Sequence, residues 1–156
     1  MPLVVIPRNP STSTSTNVVI DGAVFTPPGE PPISGGTGTL RYLGMAVGAL
    51  MDPATGQLNL FPVSSRTEDN PQMFYGFLTG MGGSGIIVAT GRGSIVTPLS
   101  EDEGPLEPGK DVFLSLVPGY VTQGYEMETE GGAYLRIGYA LDGTRIVLAT
   151  DTRIQF

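Results

Sequence analysis

Gly109-Lys110-Asp111-Val112-Phe113-Leu114-Ser115-Leu116-Val117-Pro118-Gly119 and, after a polar interval, Ala133-Tyr134-Leu135-Arg136-Ile137-Gly138-Tyr139-Ala140-Leu141-Asp142-Gly143-Thr144-Arg145-Ile146-Val147-Leu148 read as three consecutive β-strands. Asp111 to Val117 is rich in branched and aromatic residues and ends at Pro118-Gly119, a pair that bends the chain and supplies a positive φ. Ala133 to Leu141 alternates, with Leu135, Ile137, Tyr139 and Leu141 on one face and Arg136, Gly138 and Ala140 on the other. Asp142-Gly143 is a two-residue hairpin signal for a type I′ turn, and Thr144 to Leu148 returns as the third strand. One face of such a meander has to be covered by a second layer.

Composition points the same way. A chain of 156 residues with 23 Gly and 14 Pro is too rich in breakers for a helical protein, so strands and turns dominate and the expectation is a mainly β protein. Cys and His are both absent, which removes disulfides, thiolate chemistry, the usual general base and the commonest metal ligands. A net charge of -7 repels a phosphate backbone and an anionic bilayer, so neither nucleic acid nor membrane is an expected partner. Met1 to Ile6 is too short and uncharged for a signal peptide before Pro7 interrupts it, and synthesis in the cytoplasm is expected.

Residues 1–39 differ from the rest. The apolar snippet Val4-Val5-Ile6 is followed by the run Ser11-Thr12-Ser13-Thr14-Ser15-Thr16, then by Val18-Val19-Ile20 and by Pro27-Pro28-Gly29-Glu30-Pro31-Pro32. Two β-branched clusters joined by extended linkers describe an arm that adds strands to a neighbour's sheet edge, leaving 40–156 as the β-domain. Within that domain Arg41 to Met51 reads as a short helix or a strand. Leu43, Ala46, Val47, Leu50 and Met51 fit helical spacing, while Gly44 and Gly48 disfavour it. The echo between Leu43-Gly44-Met45-Ala46-Val47 and Ile137-Gly138-Tyr139-Ala140-Leu141 tilts it towards strand, with small residues on one face where a second layer approaches closely. Leu58 to Phe61, Met73 to Leu78 and Ile86 to Thr90 are further strands, and Ser94 to Thr97 continues the last of them beyond a Gly91-Arg92-Gly93 turn.

Three features resemble chemistry. Gly80-Met81-Gly82-Gly83-Ser84-Gly85 has G-x-G-x-x-G spacing but runs into the β-branched Ile86-Ile87-Val88 rather than a helix, so a hairpin loop is the better reading. Gly104 to Lys110 has P-loop spacing, yet Asp111 stands where Ser or Thr would bind magnesium, and Glu107 would repel the phosphate; a turn before a strand explains it. Glu101, Asp102, Glu103 and Glu107, and separately Glu126, Glu128 and Glu130, could ligate calcium or act as paired carboxylates, but a solvated acidic surface accounts for both groups. No catalytic, metal or cofactor residues are therefore assigned, and the chain is not expected to be an enzyme.

Gly109 to Leu116, then Pro118-Gly119-Tyr120-Val121-Thr122, then Leu135 to Leu141 resemble, in that order, the strand, turn and strand pattern of tailed-bacteriophage capsid decoration proteins of the β-tulip type, similar to the lambda head decoration protein. The resemblance covers roughly the last third of the chain and has no counterpart in residues 40–100. It implies a compact β-barrel or β-tulip-like domain with an extended N-terminal arm and at most one short helix. It also implies a homotrimer on the outer surface of the virion capsid, bound to the major capsid protein and stabilising the head without cofactor. Val4, Val5, Ile6, Val18, Val19 and Ile20 are then the arm residues that touch the capsid or a neighbouring subunit. A phage tail, baseplate or fibre module is the alternative, since such modules share the pattern.

Overall fold

Twelve strands form two sheets in the computed structural model, which describes residues 17–34, 41–66, 70–82, 85–124 and 133–155. In chain order they are β1 (Asn17–Asp21), β2 (Val24–Phe25), β3 (Ile33–Ser34), β4 (Ala46–Met51), β5 (Leu58–Pro62), β6 (Phe74–Gly82), β7 (Gly85–Ala89), β8 (Ile95–Val96), β9 (Asp111–Leu114), β10 (Val121–Thr122), β11 (Ala133–Ala140) and β12 (Ile146–Gln155). The first sheet has the order β1-β7-β6-β4-β5-β2-β3 and the second β10-β9-β11-β12-β8. All pairings are antiparallel except β2 with β5. The protein is mainly β; the one helical element named among the described residues is a 3₁₀ turn, Pro71–Met73.

The seven-stranded sheet is a curled half-barrel with apolar residues on both faces. Ala46, Phe77 and Ala89 point towards the five-stranded sheet and pack with Val112, Leu114, Leu135, Ile137, Ile146 and Leu148. Their neighbours Val47, Leu78 and Val88 point the other way and meet Phe25, Leu60 and Ile86 inside the curl. Strands β4, β6 and β7 are thus buried on both sides, which is why their sequences are nearly continuous apolar runs instead of alternating ones. Tyr42, Tyr75, Leu99 and Tyr120 pack around the inner cluster.

The region expected as a three-strand meander is one with an addition. β9, β11 and β12 are adjacent as expected, but between β9 and β11 the chain runs out to β10 on the far side of β9. β9 stops at Leu114, short of Val117, because Ser115 begins a turn: its N–H donates to the Tyr120 carbonyl at 2.9 Å and its Oγ accepts from the Val117 N–H at 2.9 Å. Gly119 takes the positive φ, 88°, that the Pro-Gly pair suggested.

Three local expectations are corrected. The faces of β11 do not alternate uniformly: a bulge between Arg136 and Gly138 switches them, so Leu135, Ile137 and Ala140 are buried while Tyr139 and Leu141 are exposed. The connection to β12 is not a type I′ turn, since Gly143 is not among the glycines with positive φ. Asp142 shapes it, its Oδ1 accepting from the Thr144 and Arg145 N–H groups at 2.9 and 2.8 Å. Ser94 to Thr97 does not continue β7. At Gly91 to Gly93 the chain leaves the first sheet, and β8 joins β12 in the second.

Arg41 to Met51 is a strand from Ala46 onward, as the echo suggested. Just before the strand, Gly44, at φ 90°, lies where a side chain would meet the Thr97 carbonyl at 2.6 Å, a close approach by the backbone that follows β8. At Gly138 the crowding comes instead from Val147 of the adjacent strand, where the bulge draws the two backbones together. Residues 17–34 supply β1, β2 and β3 to the first sheet, so this part of the expected arm is built into the domain.

Candidate functional site

The residues expected to make contacts fall in two places. Val18, Val19 and Ile20 lie in β1, at the end of the seven-stranded sheet, paired with Val88, Ile87 and Ile86. Val18 and Ile20 are half-buried, Ile20 packing against the inner cluster, and Val19 on the opposite face is 54% exposed. Val4, Val5 and Ile6 lie outside the described residues.

The acidic loop before β9 is less solvated than its sequence suggests. Asp102 accepts from the Thr122 hydroxyl at 2.6 Å and from the Gln123 N–H at 2.8 Å, while the Glu101 N–H donates to the Val121 carbonyl at 2.8 Å. The buried Ser115 hydroxyl donates to the Glu101 carboxylate. These bonds clip the loop over the outer side of β10. Ser115 thereby serves as a turn cap, its Oγ accepting from the Val117 N–H while its hydroxyl proton is directed at Glu101. Glu126, Glu128 and Glu130 lie outside the described residues. Among the described residues no three potential ligands gather round one point.

The glycine-rich motif occupies the tip of the β6–β7 hairpin, where Gly82 pairs with Gly85. The lysine motif is a turn leading into β9, with Gly109 at φ 84° and Lys110 Nζ 2.7 Å from Glu107. Neither glycine stretch opens a helix, so neither aims a set of N–H groups at a phosphate.

A second ionic cluster ties the proline-rich segment down. Glu30 Oε1 accepts from Tyr42 Oη at 2.7 Å and from Arg41 Nη2 at 2.6 Å, and the Arg41 guanidinium lies 4.9 Å from the centre of the Tyr42 ring. The Tyr42 hydroxyl, then Arg41, hold the Glu30 carboxyl below its ordinary value; the same bond to Glu30 raises the Tyr42 phenol. This is a surface staple, since the Arg41 and Glu30 side chains are open to solvent while the Tyr42 ring is half-buried against the inner cluster. An open groove of about 430 Å³ beside the β4–β5 hairpin is lined by Val24, Thr26, Pro32, Leu50, Met51 and Asn59, without paired acid and base.

The outer face of the second sheet carries an apolar row that includes Tyr139, which the sequence placed on the same strand face as Leu135 and Ile137. Tyr139, Val147 and Ile95 are register partners across β11, β12 and β8 and therefore form a row. Tyr139 is 38% and Ile95 52% exposed, Val147 is half-buried, and exposed Leu141 continues the patch. The bulge at Arg136–Gly138 puts Tyr139 outside, and the crossing at Gly91–Gly93 brings Ile95 beside it. Gly138 inside a strand was the available signal, since glycine there commonly marks a bulge.

Comparison with protein-family models, with curated proteins and with solved structures finds no match.

Proposed function

We propose that this chain is a non-enzymatic structural protein of a tailed bacteriophage, a homotrimer seated on the outer surface of the capsid, where it stabilises the head. The observation that carries this reading is the exposed apolar row of Ile95, Val147 and Tyr139 on the outside of the second sheet, a surface suited to self-association. Support comes also from where the phage-like pattern falls: its segments are β9, the Pro118-Gly119 turn with β10, and β11, all in that sheet. The amino-terminal snippet Val4-Val5-Ile6 is the capsid-gripping element in this reading, and three copies on one trimer turn weak strand additions into a strong clamp.

The experiment is light scattering on the purified protein together with antibody labelling of particles that carry it. The expected results are a trimer, its loss in Tyr139→Asp and Ile95→Asp, and label spread over the whole head. Deleting residues 1–16, which leaves β1 intact, abolishes capsid retention while the trimer persists. A monomer in solution, or a deletion variant that still fills the shell, overturns the reading. Label confined to tails moves the protein to a tail, baseplate or fibre module.

A further inference from the structure

The second sheet covers only part of the outer face of the half-barrel. Ala46 and Phe61 on that face pack beneath it, but farther along the same two strands Leu50 lies beyond its cover. Leu50, Asn59 and Val24 are register partners across β4, β5 and β2, so they form a row about 10 Å wide at the usual strand spacing. This row floors the open groove of about 430 Å³, with Pro32 and Met51 beside it and Asp52 on the rim. Leu50 and Met51 are each 54% exposed, and large apolar side chains exposed together mark a binding surface. The polar groups there are only half satisfied. Asn59 Oδ1 accepts from the Thr26 hydroxyl at 3.0 Å, while among the described residues its NH2 group has no partner. One Asp52 oxygen accepts from the Ala54 N–H at 2.9 Å, and no described cation pairs with the carboxylate. An apolar floor with an open amide donor and an open carboxylate fits a short extended peptide that carries two apolar side chains and a cation.

We infer that residues 4–8 of the same chain occupy this groove, with Val4 and Ile6 on the floor between Val24 and Leu50 and Arg8 against Asp52. In an extended chain alternate residues share a face, so Val4, Ile6 and Arg8 project together over about 13 Å. That length matches the row and its rim. Arg8 is the one charged residue in 1–16, and Asp52 is the one charged residue among the described lining of the groove. Pro7, facing away between Ile6 and Arg8, restricts the backbone beforehand and so lowers the entropy lost on docking. The Asn59 NH2 group is placed to donate to a backbone carbonyl of the segment. Docking within one chain is also in reach. Val24 follows Asn17 by seven residues, so the two are at most about 25 Å apart, whereas the eleven residues from Ile6 to Asn17 span about 36 Å when extended. A tether of this length gives an effective concentration on the order of millimolar, so a contact too weak to form between molecules forms within one. The inference does not depend on the virion reading; in that reading the groove shelters Val4-Val5-Ile6 until the capsid takes it.

Met51 is a native reporter, because peroxide oxidises a thioether at a rate that follows its exposure. Peptide mapping of the full chain should show Met51 oxidation several-fold slower than in a chain lacking residues 1–16, with the buried Met45 slow in both. Arg8→Glu should oxidise as fast as the truncated chain, and adding Asp52→Lys should restore protection by reversing the pair. Tenfold dilution should leave the protection unchanged. Equal Met51 rates in the full and truncated chains overturn the proposal. So does an Arg8→Glu chain as well protected as wild type, or a charge reversal that restores nothing. Protection that fades on dilution assigns the groove to a second copy and is equally fatal. Should the truncated chain fail to fold, Arg8→Glu and its reversal decide alone.

Discussion

Gly138 shows how much can depend on one missing side chain. It sits at the bulge of β11, where a methyl group would overlap the Val147 carbonyl oxygen of the neighbouring strand. Backbone cannot move aside as a flexible side chain can, so Gly138→Ala should cost roughly 2–4 kcal/mol, at the severe end for a point substitution. Equilibrium denaturation should show a lower midpoint with little change in slope. Asp142 has the opposite character, a polar side chain that defines a loop. Its carboxylate accepts from the Arg145 guanidinium at 2.7 and 2.9 Å and from two backbone N–H groups, which holds it well below the usual carboxylate range, Arg145 contributing most. Because the folded value lies under the unfolded one, the stability it supplies is present above about pH 4 and is lost as pH falls through the folded value. Carboxyl NMR titration should find Asp142 ionised where free aspartate is already protonated, and Asp142→Asn should shrink the acid-side loss of stability. A side chain titrating near its ordinary value would contradict this.

At the scale of the element, local signals were legible and long-range ones were not. The Pro118-Gly119 turn, the β6–β7 hairpin and most strands of the second half could be read because hydrophobic pattern and breakers are local properties. Gly138 was visible as a glycine in a strand, yet not as a bulge, and that single extra residue transfers Tyr139 and Leu141 from the expected core to the surface. Ile95 was unreadable for another reason. Its strand is two residues long, and only the sheet crossing decides which side of it is covered. Val18-Val19-Ile20 carried a true strand signal, but a β-branched run looks the same whether it pairs within its own chain or with a neighbour. The candidate contact surfaces were thus half legible: the strand propensity of β1 was plain, while its place at a sheet end and the apolar row of the second sheet are products of topology.

The whole molecule is organised by the sheet between its two apolar clusters. Residues 46 and 47, 77 and 78, and 89 and 88 are adjacent in sequence and serve opposite clusters, so β4, β6 and β7 cannot lose one without disturbing the other. A register slip by one residue would exchange the two sets entirely. Unfolding should therefore be a single transition, although the clusters are spatially distinct. Phe77→Ala, emptying space beneath the second sheet, should cost about 3–5 kcal/mol, and Leu78→Ala, inside the curl, about 2–5 kcal/mol. The chain has no Trp, and Tyr42, Tyr75 and Tyr120 pack at the inner cluster, so in a background with Tyr125→Phe, Tyr134→Phe and Tyr139→Phe tyrosine fluorescence reports that cluster while far-UV circular dichroism reports both sheets. The two signals should shift together in each variant. If Leu78→Ala moved the fluorescence transition and left the dichroism transition in place, the clusters would be independent units, and the shared strands would not couple them.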